Sequence, residues 1–188
     1  MRRLLLIRHA STDAVRRAAF PVDEPLDAAG RAAAALLAGR LGRGDALCSP
    51  ARRARETAAA AGLEPVLDEG LRECDFGTWC GRTLAEMHEA DPDGVGAWMT
   101  DPAACPHGGE SLADMLARVG RWMDEQAGCD GRAIAVTHAG VVKAAVVHAL
   151  GAPAEAFWRV DVTPLAVTEL HAAHGRWTVA QVNAPVAA

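Results

Sequence analysis

Lysine is nearly missing from this chain. Lys143 is the only one among the 19 Lys and Arg residues, so almost every fixed cation is a planar guanidinium suited to phosphate or carboxylate. An excess of positive charge is missing too. The formal net charge is −5, which excludes a chain-wide basic field drawing the protein to nucleic acid or membrane. Any bound anion must therefore be met by a local cluster. The five cysteines, Cys48, Cys74, Cys80, Cys105 and Cys129, are odd in number and show no CxxC spacing. Neither a disulfide framework nor a zinc site is suggested, and a reducing cytoplasm is the expected setting. No apolar run approaches membrane-spanning length. Met1-Arg2-Arg3 before LLLI imitates a signal peptide, but the run stops at Arg8, too soon for an h-region. Repeats, low-complexity tracts and interdomain linkers are also lacking.

What is present is a soluble globular composition: 51% hydrophobic and 23% charged over 188 residues. That length suits one domain, 1–188, able to bury a core. Residues 3–7 form a continuous apolar run, as expected for a strand covered on both faces. Asp27 predicts the cap of a helix over 28–41, and 45–48 predicts a short strand. In SPARRARETAAAAG, Ser49 reads as N-cap, Pro50 as first helical residue and Gly62 as the stop; 65–67 reads as another strand. From Cys74 to about 110 the periodicity weakens, with short helices opening at Thr83 and carrying Trp98. This stretch is expected to be an insertion capping the substrate. Ser111 starts an amphipathic helix with Leu112, Met115, Leu116, Val119 and Met123 on one stripe. RAIAVTH, 132–138, predicts a second buried strand, followed by a helix ended by Gly151. Residues 165–182 alternate around a Gly-containing turn and predict a C-terminal β-hairpin. The implied class is α/β: a three-layer sandwich whose mostly parallel sheet is flanked by helices and closed by that hairpin.

The placement of the cations carries the functional signal. Arg52 and Arg53 fall in the first turn of a predicted helix, and His138 starts another. A helix N-terminus already carries about half a positive charge, so a cation there costs roughly 0.3–1 kcal/mol unless an anion compensates. Arg8 and His9 follow directly from a buried strand, on the side where open α/β sheets bind ligands. Singly, an Arg at a strand end is usually a solvated edge and a lone His a structural residue. Jointly, Arg8, His9, Arg53 and His138 point to one anion pocket.

These residues also carry a resemblance. Arg8-His9-Ala10, SPARRARETA (49–58), LRECDFGTW (71–79), GGES (108–111) and VTHAG (136–140) occur in one order and resemble the motifs of the histidine phosphatase superfamily, the phosphoglycerate mutase-like clan. FWRVDVTPLAVTEL is similar to the closing region of its α-ribazole phosphatase-like branch. The resemblance implies His9 as a nucleophile that becomes phosphorylated and Arg8 and Arg53 as clamps on the phosphoryl oxygens. It implies His138 as a stabiliser of charge in transfer and Glu73 as the acid that protonates the leaving oxygen. Arg53 is selected because Ala54 follows it directly; Arg52 is the alternative register. Thr12 and Ala139 are further candidates for contact with the phosphate. The chemistry is consistent with those roles. Fixed cations and N–H donors stabilise charge on the equatorial oxygens in phosphoryl transfer, and a neutral imidazole divides one hard step into two.

Three features depart from the pattern. Ala10 stands where most members have Gly, Cys80 replaces a Glu, and Val15 with Ala139-Gly140 lack polar groups that mutases carry. Together with a chain that looks short of the mutases' closing segments, this favours a phosphatase acting on a small phosphate monoester and releasing inorganic phosphate. The alternatives are a cofactor-dependent phosphoglycerate mutase and a catalytically weak phosphate-binding or regulatory module. A metallohydrolase is disfavoured because the Arg residues would repel a divalent cation and no HExxH spacing exists. No cofactor, metal, nucleic acid or membrane partner is implied, and the sequence leaves oligomeric state and substrate open. His107, beside GGES, is a candidate for the substrate entrance.

Overall fold

Strand β1 (Arg2–Arg8) pairs in parallel with β4 (Gly131–Thr137), in register from Arg2 opposite Gly131 to Arg8 opposite Thr137. The computed structural model describes residues 1–186. Its six-stranded sheet has the order β3-β2-β4-β1-β5-β6. Strands β2 (Asp45–Cys48) and β3 (Val66–Leu67) continue the parallel part. Strands β5 (Val167–Ala173) and β6 (Arg176–Ala184) add the antiparallel hairpin. Its two-residue turn, His174-Gly175, has both residues at positive φ (52° and 70°), the conformation whose twist matches the flanking strands.

Period-two alternation divides the core into two. Leu4, Leu6, Ala133, Ala135 and Leu170 face α6 (Leu112–Ala127) and α7 (Ala139–Leu150). Leu5, Ile7, Ile134 and Val167 face the other layer with Leu37, Leu41 and Ala61, beside α2 (Ala28–Ala35) and α3 (Arg52–Ala60). Helices on both faces make the expected three-layer sandwich. Each fully buried Leu or Ile contributes roughly 1.5–3 kcal/mol, which is why the apolar runs of β1 and β4 occupy the middle.

Several local readings change. Helix α2 is capped by Asp27 as expected, but ends at Ala35 rather than 41. Beyond it the backbone tightens to i→i+3 bonds, Leu37 to Ala34 and Arg40 to Leu37, and leaves through Gly39 at φ +75°. Helix α3 starts at Arg52 and not at Pro50. Ser49 stands just past β2, donating its N–H to the Val136 carbonyl at 2.9 Å while its hydroxyl accepts the Ala51 N–H at 3.3 Å. The capping acceptor is instead Asp23, whose carboxylate receives the Arg52 N–H at 2.7 Å. A short helix the sequence did not reveal, α1 (Asp13–Arg17), is capped by Thr12.

Residues 74–110 carry one 3₁₀ turn, Gly77–Trp79, and two short helices, α4 (Leu84–Ala90) and α5 (Pro92–Thr100). Thr83 and Glu86 form a reciprocal cap at α4. Trp79, Met87 and Val95 bury themselves with Phe20 in a separate cluster, against which Phe76 and Trp98 pack. His107 joins that aromatic group instead of bordering an entrance: it is fully buried, against the rings of Phe76 and Trp79. No helix among the described residues is long and apolar enough to cross a membrane.

Candidate active site

The parallel register brings three sequence segments to one edge of the sheet. His9 leaves β1 with its N–H on the Thr137 carbonyl at 2.8 Å, while Ser49 leaves β2 bonded to Val136. His138 follows β4 as the N-cap of α7. The His9 and His138 rings therefore meet, with centroids 5.1 Å apart.

His9 is oriented by its own backbone. Its Nδ1 lies 2.8 Å from the Ala10 carbonyl, which can only accept, so Nδ1 carries the proton. Nε2 is thereby the lone-pair atom, and the Arg53 Nε–H donates to it at 3.2 Å. Ala10 takes no positive φ, so the residue that replaces the expected Gly introduces no strain. Its N–H is held by Thr57 Oγ1 at 3.0 Å, and that hydroxyl donates to the Arg53 carbonyl at 2.7 Å. Thus α3 fastens both the loop of the first motif and the arginine of the second.

Burial, then Arg53 and Arg8, push the His9 pKa down to about 3 against the opposing Ala10 carbonyl. His138 is driven well below the ordinary histidine range by burial and then by Arg53 and His9. Both rings are neutral around pH 7. His138 Nε2 is 2.8 Å from Ser49 Oγ, and its buried Nδ1 has no partner. Ser49, read from sequence as a helix cap, is thus a neighbour of the second histidine.

The cations are held by carbonyls. Arg53, buried, donates from Nη1 to Val22 O at 2.8 Å, and its nearest carboxylate is Glu24 at 3.9 Å. Arg8 donates from Nη1 to Val162 O at 2.6 Å, and burial chiefly lowers its pKa. Arg52 points away to Glu56 at 2.8 Å. The register that selected Arg53 is the one in contact with His9. Thr12 is fully buried and occupied: its hydroxyl accepts from Val15 N and donates to Glu24 at 3.1 Å. It orients the carboxylate facing Arg53. Ala139 is the first residue of α7, at the end where N–H groups lack intrahelical partners.

Glu73 sits against the same helix end, its Oε2 accepting the Gly140 N–H at 3.3 Å and its Oε1 the Cys74 N–H at 3.1 Å. Two anchors hold the strand of chain that carries it. Thr137 Oγ1 donates to Leu71 O at 2.7 Å. Arg118 forks onto Glu110 at 2.7 Å while Nη1 donates to the Gly70 and Arg72 carbonyls. A cleft of about 890 Å³ opens here, lined by Ser49, Arg53, Glu73, Cys80 and Arg118 among others. Sequence reasoning missed the supporting groups: the carbonyls of Val22 and Val162, Thr57, Thr137 and Arg118. Backbone acceptors leave no mark on side-chain identity, and Arg118 reads as an ordinary polar helix position. Among the described residues no group of three or more His, Cys, Asp or Glu side chains could hold a metal ion.

Comparison with known proteins gives the family of the chain. Residues 4–185 match the family described as Histidine phosphatase superfamily (branch 1). A bifunctional protein of Mycobacterium tuberculosis is 36% identical over 195 residues, which span 96% of this chain and 53% of that protein; the chain covers about half the length of such relatives. A glucosyl-3-phosphoglycerate phosphatase of Mycolicibacterium vanbaalenii is 35% identical over 82% of this chain and 77% of its own length. Among solved structures, the α-ribazole phosphatase of Shigella flexneri superposes with a TM-score of 0.85 at 26% identity, covering 99% of this chain and 98% of that one.

Proposed function

Because this chain belongs to the histidine phosphatase superfamily, we propose that it hydrolyses a small phosphate monoester through a phosphohistidine on His9. The observation that carries this reading is the fixed tautomer of His9: Nδ1–H on the Ala10 carbonyl leaves Nε2 as a neutral lone pair, facing a buried guanidinium. Nε2 attacks phosphorus, the P–O bond to the alcohol breaks, and the leaving oxygen takes a proton from Glu73. Arg8, Arg53 and the neutral His138 hold the equatorial oxygens, whose charge is stabilised by donors already in place. Glu73, returned to carboxylate, then takes a proton from water as it attacks the phosphohistidine, and inorganic phosphate leaves. The phosphatase names of its relatives support the reaction class. The residues that catalyse it, the phosphohistidine and a cytoplasmic setting are parts of the proposal.

The test is rapid quenching in alkaline detergent after mixing with a ³²P-labelled aryl phosphate. Wild type should yield an acid-labile, base-stable label, the signature of phosphohistidine. His9→Ala should fold normally, give no label and lose at least about 10³-fold in turnover. Unchanged hydrolysis by His9→Ala would refute the assignment.

A further inference from the structure

Beside the main cleft lies a second, smaller pocket of about 180 Å³. It shares Glu73, Cys74 and Phe76 with the cleft, so the two spaces meet at the proposed acid. Its other walls are apolar: Leu112 and Met115 from α6, Trp98 from α5, and Phe157 and Trp158 from the 3₁₀ turn Ala154–Arg159. The rings stand edge to face, Trp98 to Trp158 at 4.9 Å and Phe157 to Trp158 at 5.1 Å. Into this greasy space projects Lys143, the chain's one lysine.

Lys143 is half-buried and forms no ion pair or hydrogen bond among the described residues. Its ammonium lies 5.4 Å from the Phe157 ring centroid. No carboxylate among the described residues lies within ion-pair distance, so the ammonium is available to an anion that enters the pocket. Asp161 and Glu73 attract it from a distance while Arg8 repels it. Gly140 touches Glu73, and Lys143 follows it by three residues on α7. That spacing puts the two on one helix face, about 4.5 Å apart along the axis. A molecule whose oxygen is protonated by Glu73 would therefore extend toward the ammonium.

We propose that this side pocket is the leaving-group subsite, and that it accepts a single-ring aromatic alcohol bearing a carboxylate, which Lys143 pairs. The proposal rests on the hydrolase reading above and names its substrate class. Size sets the ring count: a dry cavity of about 150 Å³ binds benzene, so this one holds one substituted six-membered ring. Aromatic walls favour a flat guest. The ammonium, which has no ion pair among the described residues and lies beside an apolar wall, selects an anion at the far end.

The experiment compares 4-carboxybenzyl phosphate with its neutral carboxamide analogue, nearly equal in size, as substrates of the full chain. Wild type should favour the carboxylate by about tenfold or more in kcat/KM. Lys143→Met should bring that ratio to about one, and Lys143→Arg should retain most of it. A wild-type ratio near one, or a ratio that Lys143→Met leaves unchanged, overturns the subsite. Quenching of tryptophan fluorescence by 4-(hydroxymethyl)benzoate separates the two claims. Quenching that needs Lys143 in a protein inert toward every phosphate ester keeps the subsite and removes the hydrolase reading. Aryl phosphate hydrolysis with no such quenching keeps the hydrolase and removes the subsite.

Discussion

The imidazole of His9 owes its chemistry to its surroundings. Free histidine is half-protonated near pH 6.5, whereas burial and the neighbouring Arg53 and Arg8 hold this one neutral down to about pH 3. The same shift makes stability depend on pH. Between about pH 3 and 6.5 the unfolded chain binds a proton at this residue and the native chain does not. Stability is therefore fully present above the unfolded value and falls as pH drops below it, by up to about 1.4 kcal/mol per pH unit. His138, shifted the same way, adds its own share. Urea unfolding at pH 7.5 and 5.0 should show wild type weakened at the lower pH. His9→Asn should be less sensitive by about 2 kcal/mol. Identical pH dependence in the two proteins would contradict a buried neutral His9.

At the scale of the element, α7 does more than cover the sheet. Its N-cap is His138, and its second residue is the N–H donor to Glu73. A side chain at position 140 would displace two flexible side-chain tips: an added Cβ would lie 2.2 Å from Glu73 Oε1 and 2.7 Å from the Met115 methyl. The missing polar side chain that distinguishes this position from the mutases' motif is thus the space that Glu73, the proposed acid, occupies. Gly140→Ala should push the carboxylate out of place while Val141, Val142 and Ala145 keep the helix buried. The expected loss is about 10- to 100-fold in kcat for alkyl phosphates, whose leaving oxygen needs the proton, and little for nitrophenyl phosphate. Steady-state kinetics on both esters checks it; equal losses would mean that the substitution disturbs the phosphate site instead.

For the whole molecule, the openness of the cleft bears on whether the proposed phospho-His9 would meet water or another alcohol. The cleft is lined by exposed side chains, Asp23, Arg72, Asp75 and Cys80, so bulk water borders the phosphoryl site. A mutase must keep water away and grip the non-reacting end of its intermediate. Val15 belongs to the short helix α1, and Ala139-Gly140 face Glu73 and the apolar pocket; none offers that grip. Supplying 3-phosphoglycerate with a trace of 2,3-bisphosphoglycerate should therefore yield free phosphate in preference to 2-phosphoglycerate. Rapid isomerisation with negligible phosphate release would establish transfer.

Much of this architecture is legible in the chain itself. Continuous apolar runs in β1 and β4 fit strands covered on both faces, and alternation with helical segments then implies a mostly parallel sheet. The cations Arg8, His9, Arg53 and His138 sit where local rules disfavour them, and that misplacement is what makes them candidates for an anion pocket. Local rules also mislead. Ser49-Pro50 has the composition of a helix start, but Ser49 is bonded to Val136 in the sheet and to His138 at the site, contacts made across 87 and 89 positions. Cap chemistry is decided by nearest neighbours only when no long-range partner competes, and here two do. The same limit hides Lys143: nothing in VVKAAVV distinguishes an exposed lysine from one that lines a pocket with Trp98, Phe157 and Trp158, whose elements flank α7 on both sides in the chain. The sequence by itself determined which segments become strands, which residues carry charge and in what order they emerge, because those follow from periodicity and side-chain type. The tertiary structure decided which backbone carbonyls hold the arginines, which tautomer His9 adopts and what lines the pocket beside Glu73, because each depends on packing between segments that no local pattern connects.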